Sequence, residues 1–298
     1  MHHIISIKEL EVEDINRLLD KARLIQEKGF KRRTLEGKLV ALLFFEPSTR
    51  TRMSFSAALS RLGGDVITVD SVEGSSISKG ETLADTIRVV SSYVDAIVLR
   101  HPKEGAARLA ANFSTVPVIN AGDGAGQHPS QTLLDLYTIR ENMPLDNIDV
   151  GLLGDLRYGR TSHSLSYALS NYNVRIHTIA PKSLEMPAVI IEEMAERGVE
   201  LIQHDSLADV INELDVLYVT RIQRERFPDS ASYARVAHSY RITPEVLKDV
   251  KDNLILMHPL PRAGEIDPAV DKLPYAKYFR QAENGVPVRM AMLEEVML

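Results

Sequence analysis

Residues 44–52 read FFEPSTRTR. An apolar run, Leu42, Leu43, Phe44 and Phe45, gives way to Ser48, Thr49, Arg50, Thr51 and Arg52. Hydroxyls and guanidiniums on consecutive residues make a poor core but a good cradle for an anion. Pro47 sets up a turn, and Ser48 is placed to cap a helix that carries Phe55. The backbone N–H groups of Thr49, Arg50 and Thr51 would then be unpaired donors at the positive end of a helix dipole. A plain N-cap with solvated arginines is the competing reading; two arginines and a second threonine in one turn tip the balance toward an anion site. The GxxxxGK[ST] phosphate loop occurs nowhere in the chain.

Other polar groups recur just after apolar runs. AIVL is followed by Arg100, His101 and Pro102, and VPVIN by AGDGAGQHPSQT with His128, Pro129, Ser130 and Gln131. An imidazole near a helix start is pushed toward its neutral form, which still donates one hydrogen bond. By itself it reads equally well as a structural histidine. The segment SVEGSSISKGETLADT, residues 71–86, carries Lys79 and alone reads as a solvated surface loop. Farther on, DVGLL leads into GDLRYGRTSHS, with Tyr158 and Arg160; Gly151 and Gly154 do not make GxGxxG. DVLYVT leads to Arg221 and Gln223, which alternation in an extended chain puts on one side. NLILMH leads to Pro259, Leu260, Pro261 and Arg262, a turn that cannot continue a sheet. Cations at strand ends in both halves are expected to face an interdomain cleft that takes doubly charged substrates.

The elements that position these residues alternate along the chain. LVALLFF (39–45), DVITV (65–69), AIVLR (96–100) and VPVIN (116–120) read as short buried strands, followed by DVGLL, VRIHTIA, VELIQ, DVLYVT and NLILMH. Helical periodicity lies between them, as in Phe55, Leu59 and Leu62, ended by Gly63 and Gly64. Strand and helix in alternation predict an α/β fold of two doubly wound parallel-sheet domains with helices on both faces, linked by helices. In such sheets ligands bind beyond the carboxyl ends of the strands. The helical stretch 131–144, closed by Pro144, is the expected boundary. The expected domains are 1–135 and 136–284, with a last helix at about 285–298 packing back on the first.

At 298 residues the chain exceeds what one core of roughly 150 residues would need. An apolar content of 44% is that of an ordinary globular protein, and no apolar stretch approaches a membrane span. The opening MHHIISIKEL does not resemble a signal peptide, so a cytoplasmic location is expected. The absence of cysteine excludes disulfides, thiolate zinc sites and a cysteine nucleophile. A net charge of −6 argues against a broad nucleic-acid surface, so any anion site is a local basic cluster.

FFEPSTRTRMSF, SKGETLADT, VLRHPKEGAARLA, AGDGAGQHPSQTLLDLYTI, GDLRYGRTSHSL, TRIQRERF, HPLPR and QAENGVPVRMAML occur in order over nearly the whole chain. On these motifs the sequence resembles the aspartate/ornithine carbamoyltransferase family, and within it the aspartate-specific catalytic chains. The resemblance implies transfer of a carbamoyl group from carbamoyl phosphate to the amino group of L-aspartate, in pyrimidine biosynthesis. It makes residues 1–135 the carbamoyl phosphate-binding domain and 136–284 the aspartate-binding domain. It assigns Ser48, Thr49, Arg50 and Thr51 to the phosphate, Thr51, Arg100 and His128 to the carbonyl oxygen, and Gln131 to the carbamoyl NH2. Arg160, Arg221 and Gln223 would hold the aspartate carboxylates, and the Leu260 and Pro261 backbone would receive the amino groups. Lys79 and a serine, Ser75 by register with Ser76 beside it, would reach into a neighbouring subunit's site. A homotrimer with shared sites is therefore implied, with a separate regulatory chain as a possible partner. No metal, cofactor or covalent nucleophile is needed.

An ornithine-specific relative is the nearest rival; such chains typically show a cysteine in the turn at His258-Pro259-Leu260-Pro261, which this chain lacks. Arg221 and Gln223 also suit a dicarboxylate better than a cation. A non-catalytic structural relative would be expected to have lost some of Arg50, Lys79, Arg100 and His128, all present. A nucleic-acid module is disfavoured by charge and by the lack of aromatics among the basic residues.

Overall fold

A computed structural model of the chain describes residues 3–30, 32–69, 79–222 and 240–298. The chain divides into two compact units, Met1–Tyr137 with Asn284–Leu298, and Thr138–Glu283. It crosses between them inside two helices, α5 (Pro129–Asn142) and α8 (Tyr278–Met297). Among the described residues no helix is long and apolar enough to cross a membrane.

The first unit opens with α1 (Val12–Lys28), which buries Ile15, Leu18, Leu19, Ala22 and Ile25 at helical spacing. Then follow β1 (Leu39–Phe44), α2 (Thr49–Arg61), β2 (Asp65–Val69), α3 (Leu83–Ser91), β3 (Ala96–His101), α4 (Ala106–Phe113) and β4 (Val118–Asp123). The four strands pair in parallel in the order β2-β1-β3-β4. β1 and β3 are central, so both faces are covered and their sequences are almost wholly apolar. One face packs Ala41, Leu43, Ile97, Leu99 and Val118 against Ile87 of α3 and Ala107 and Ala110 of α4. Fully burying a Leu or Ile there contributes about 2 kcal/mol. Right-handed crossovers that travel one way to β2 and back to β3 place α2 on the opposite face from α3 and α4. α2 ends where Gly63 takes φ +82°, a left-handed value that glycine adopts without strain.

Two strand expectations need correction. DVITV is a strand but not a buried one: β2 is an edge strand, and Asp65, Val66, Ile67 and Thr68 are all exposed. Of its apolar residues only Val69, half-buried, packs against the core cluster of this unit, while Val66 and Ile67 do not. VPVIN is extended only from Val118, because the Ser114 hydroxyl brackets Val116, donating to its O at 2.6 Å and accepting from its N at 3.1 Å.

The second unit holds β5 (Ile148–Leu153), α6 (Arg160–Leu169), β6 (Val174–Ile179), α7 (Ala188–Glu196), β7 (Leu201–His204), β8 (Val216–Val219) and β9 (Ile255–Met257). These five strands are also all parallel, in the order β7-β6-β5-β8-β9. Leu153, Leu214, Leu217, Val219, Leu254, Leu256 and Tyr278 belong to one of its buried clusters.

Strand order dictates where each unit can bind. In the first, the chain leaves β1 toward β2 and later returns to β3 on the other side; in the second, it leaves β5 toward β6 and returns to β8. At such a reversal the loops after adjacent strands diverge to opposite faces and leave a crevice. The crevices lie beyond β1 and β3, and beyond β5 and β8.

Candidate active site

In the first unit Phe45 N donates to Arg100 O at 2.9 Å, which sets the chain leaving β1 against the end of β3. The segment Ser48–Thr51 follows at once. Ser48 is the N-cap residue in extended geometry, yet its hydroxyl makes no capping bond. That departs from the expected side-chain cap: only the Ser48 carbonyl joins the helix, accepting from Arg52 N at 3.4 Å. Thr49 and Arg50 are exposed, and Thr51 is buried. The start of α2 thus presents amides, hydroxyls and a guanidinium beside the crevice.

Arg100, the next-to-last residue of β3, has a buried side chain, 9% exposed. Its Nη2 donates to Glu46 Oε1 at 2.6 Å and its Nη1 to Ala121 O at 3.1 Å. The same Nη1 lies 3.5 Å from His128 Nε2, whose other nitrogen lies 3.4 Å from Ser130 Oγ. The glycine-rich loop before His128 is built by Asn120 and Asp123. Asn120 Oδ1 accepts from Gly122 N at 2.8 Å, and the Asp123 carboxylate accepts from Gln127 N and Gly105 N, each at 2.9 Å. His101 is turned to a different purpose: its Nδ1 accepts from Lys103 N at 3.0 Å, and burial, with the Lys103 charge, holds its pKa below the usual histidine range.

Gln131, one turn into α5, donates from Nε2 to Asp135 Oδ1 at 2.8 Å. Asp135 is wholly buried, as is most of α5, which is why this helix carries apolar and small polar residues all round. The buried Arg289 guanidinium stands 5.1 Å over the Phe55 ring. Its pKa is lowered to about 10, by burial above all, with Asp135 opposing that shift and Arg100 adding to it. Lys79 is exposed and precedes α3, which Thr82 caps by accepting from Asp85 N at 3.1 Å. Ser75 and Ser76 lie outside the described residues.

In the second unit the ends of β5 and β8 are tied together. Thr220 N and Thr220 Oγ1 both donate to Leu153 O, at 2.8 and 3.0 Å. Gly154 sits in this contact at φ +118°, and a Cβ there would lie 2.4 Å from Thr220 O. Asp155 Oδ1 accepts from Tyr158 N at 3.0 Å and shapes the turn that starts α6 at Arg160. Arg160 and Arg221 are both half-buried, one after β5 and the other after β8, so both flank this unit's crevice. Gln223 lies outside the described residues.

Beyond β9, His258 is buried and has both ring nitrogens engaged: Leu260 N donates to Nδ1 at 2.8 Å, and Nε2 lies 2.7 Å from Glu265 Oε1. Burial raises the Glu265 carboxyl, but the His258 bond and charge outweigh it and hold the group below the usual carboxylate range. Leu260 has φ +56° and is half-buried, and Pro261 is exposed. Arg262 is committed elsewhere, with Nη2 3.1 Å from Asp271 Oδ2 and Nη1 3.2 Å from Tyr278 Oη.

Two parallel-sheet units, each with arginines beside the crevice at its carboxyl edge, define a two-domain α/β protein. The chain belongs to the aspartate/ornithine carbamoyltransferase family: the model of its carbamoyl-P binding domain matches residues 2–141, and that of its Asp/Orn binding domain matches residues 146–296. It is 70% identical over 297 residues to the aspartate carbamoyltransferase catalytic subunit of Methanoculleus marisnigri, covering 100% of both chains. Its identity to the corresponding subunit of Methanospirillum hungatei is 64% over 298 residues, again covering 100% of both. Among solved structures it resembles the catalytic subunit of M. jannaschii aspartate transcarbamoylase, with a TM-score of 0.94 and 52% identity, covering 99% of this chain and 98% of that one. It also resembles aspartate transcarbamoylase from Trypanosoma cruzi in complex with carbamoyl phosphate and aspartate, with a TM-score of 0.92 and 41% identity, covering 99% and 97%.

Sequence reading passed over Glu46, Asp135 and the His258–Glu265 pair. Glu46 had a signal: a carboxylate among hydroxyls and arginines in one turn calls for a cation to pair with, which Arg100 supplies. Asp135 and Glu265 had none, since their partners are defined only by packing.

Proposed function

We propose that this chain is an aspartate carbamoyltransferase. The amino nitrogen of L-aspartate attacks the carbonyl carbon of carbamoyl phosphate; the new C–N bond forms, the C–O bond to phosphate breaks, and the amine gives up a proton. The products are N-carbamoyl-L-aspartate and phosphate, a step of pyrimidine biosynthesis in the cytoplasm. The observation that carries this reading is the buried Arg100, braced by Glu46 and the Ala121 carbonyl with His128 at 3.5 Å, at the strand reversal of the first unit.

Such a preorganised donor set acts on charge that develops in the transition state. Arg100, His128 and Thr51 bind the carbonyl oxygen as it becomes an oxyanion, which lowers the barrier without tightening the ground state equally. Ser48, Thr49, Arg50 and Thr51 bind the phosphate at the start of α2, where free amides and the dipole favour the departing charge. Gln131 takes the carbamoyl NH2. In the second unit Arg160, Arg221 and Gln223 bind the two aspartate carboxylates, and the carbonyls of Leu260 and Pro261 accept from amino groups. Cations on both units offset the repulsion between two anionic substrates. Lys79 with Ser75 or Ser76 completes the site of a neighbouring subunit in a homotrimer, to which a separate regulatory chain can attach. The bare apolar strand β2, with Val66 and Ile67 exposed, supports association with further copies.

The experiment is steady-state turnover with carbamoyl phosphate and either L-aspartate or L-ornithine. Release of phosphate with aspartate alone is expected; turnover of ornithine alone would overturn the assignment.

A further inference from the structure

Among the described residues only two besides glycine have positive φ, Asn147 at +60° and Leu260 at +56°. Asparagine tolerates that region well; leucine does not, because its Cβ crowds the following carbonyl. Something must hold Leu260 there, and a contact to His258 does so. Leu260 N donates to His258 Nδ1 at 2.8 Å across two residues. An imidazole nitrogen that accepts an N–H carries no proton, so the ring proton is on Nε2 and is donated to Glu265 Oε1 at 2.7 Å. Glu265 in turn accepts from Ala263 N at 2.9 Å with its other oxygen. The backbone of His258 is tied as well, its N donating to Gln281 Oε1 at 2.9 Å. The turn 258–265 is thus closed by a short relay, Leu260 N–H to His258 to Glu265 to Ala263 N–H, at the carboxyl end of β9.

We infer that His258 is a positioning residue for the transfer reaction: it orients the Leu260 and Pro261 carbonyls by holding Leu260 in its left-handed conformation. The inference rests on the reading that these carbonyls accept from the substrate amino groups. His258 itself is 1% exposed, too buried to offer its ring to a ligand. The group that matters is its Nδ1 lone pair, and the bond to Glu265 serves to keep the proton off that nitrogen.

Two substitutions separate the two halves of the ring. In His258→Asn the amide oxygen falls near the position of Nδ1 and can accept from Leu260 N, while the bond to Glu265 is lost. In His258→Gln the amide nitrogen falls near Nε2 and can donate to Glu265, while Leu260 N loses its acceptor. His258→Asn removes more side-chain volume than His258→Gln, so packing alone would favour the Gln variant; circular dichroism and thermal melting of each variant report on folding. The expected result is that His258→Gln loses about 100-fold in kcat with aspartate, the scale of a misplacement of about 1 Å, while His258→Asn stays within about 10-fold of the parent. Binding of succinate, which has the two carboxylates of aspartate but no amine, is expected to change little in either. Equal losses in both variants, or a greater loss in His258→Asn, would overturn the inference and make the residue a packing element. Full activity in both, with a crystal structure of His258→Gln showing the Leu260 turn in place, would overturn it as well. Full activity with the turn displaced would instead overturn the underlying role of the Leu260 and Pro261 carbonyls.

Discussion

Glu46 and Arg100 stand 54 residues apart in the chain and 2.6 Å apart in the fold, Oε1 against Nη2. Glu46 follows β1 and Arg100 is next to last in β3, neighbours in the sheet through the pair Phe44 and Arg100. The carboxylate fixes an otherwise flexible cation; in the role proposed for Arg100, the guanidinium then need not reorganise during the reaction.

Arg100→Ala is expected to lower kcat by about 100-fold or more, the usual cost of removing an oxyanion donor. Glu46→Gln retains a hydrogen bond but not its charge assistance, and a loss of about 10-fold is expected. Steady-state kinetics with saturating carbamoyl phosphate compares the two; equal effects would mean that Glu46 does more than orient Arg100.

Arg221→Met is expected to raise KM for aspartate by roughly 10- to 100-fold, the loss of one charge-assisted hydrogen bond. Binding of carbamoyl phosphate measured by calorimetry is expected to be unchanged, because its groups belong to the other unit.

Gly154→Ala tests how closely the β5 and β8 ends must approach. The added Cβ would lie 2.4 Å from Thr220 O at a φ of +118°, so β8 must shift and carry Arg221 with it. Lower thermal stability and a higher KM for aspartate are expected together. Gly198→Ala is the control: its φ is +79° with nothing within 4 Å of the added carbon. It is expected to cost about 1 kcal/mol of stability and leave kinetics alone.

Asp149 on β5 gathers two side chains of β6: Arg175 donates to it from Nε at 2.6 Å and Nη2 at 2.7 Å, and His177 Nε2 lies 3.0 Å away. Burial raises its pKa, but these partners outweigh burial and leave it below the usual aspartate range. A depressed carboxyl adds stability that is fully present above its unfolded value of about 3.9 and is lost as pH falls through the lower folded value. Asp149→Asn is expected to lose about 2 kcal/mol at neutral pH by urea unfolding, and its disadvantage should narrow below about pH 4.

Mixing inactive Lys79→Ala chains with inactive His128→Ala chains is expected to restore part of the activity, since some sites would then draw each residue from a different subunit. Ile67→Asp is expected to shift the chain toward monomer in analytical ultracentrifugation and to remove that recovery.

Much of this protein could be read from adjacent residues. Alternation of apolar runs with helical stripes identified the parallel α/β class, and FFEPSTRTR marked the start of a helix after a strand, because helix starts and turns are built from neighbours a few positions apart. The exposure of β2 could not be read so, since an edge strand and a central strand share the same apolar composition and differ only in their place in the sheet. The expected Ser48 cap likewise had the right residue type, but the backbone there leaves the hydroxyl out of the helix. The pairs Glu46 with Arg100, Gln131 with Asp135 and His258 with Glu265 show the graded limit, at separations of 54, 4 and 7 residues. Short separations are not enough: which of several nearby carboxylates meets a given side chain depends on where the strand crossovers and the buried helix put it, and that is a property of packing, settled only when distant segments come together.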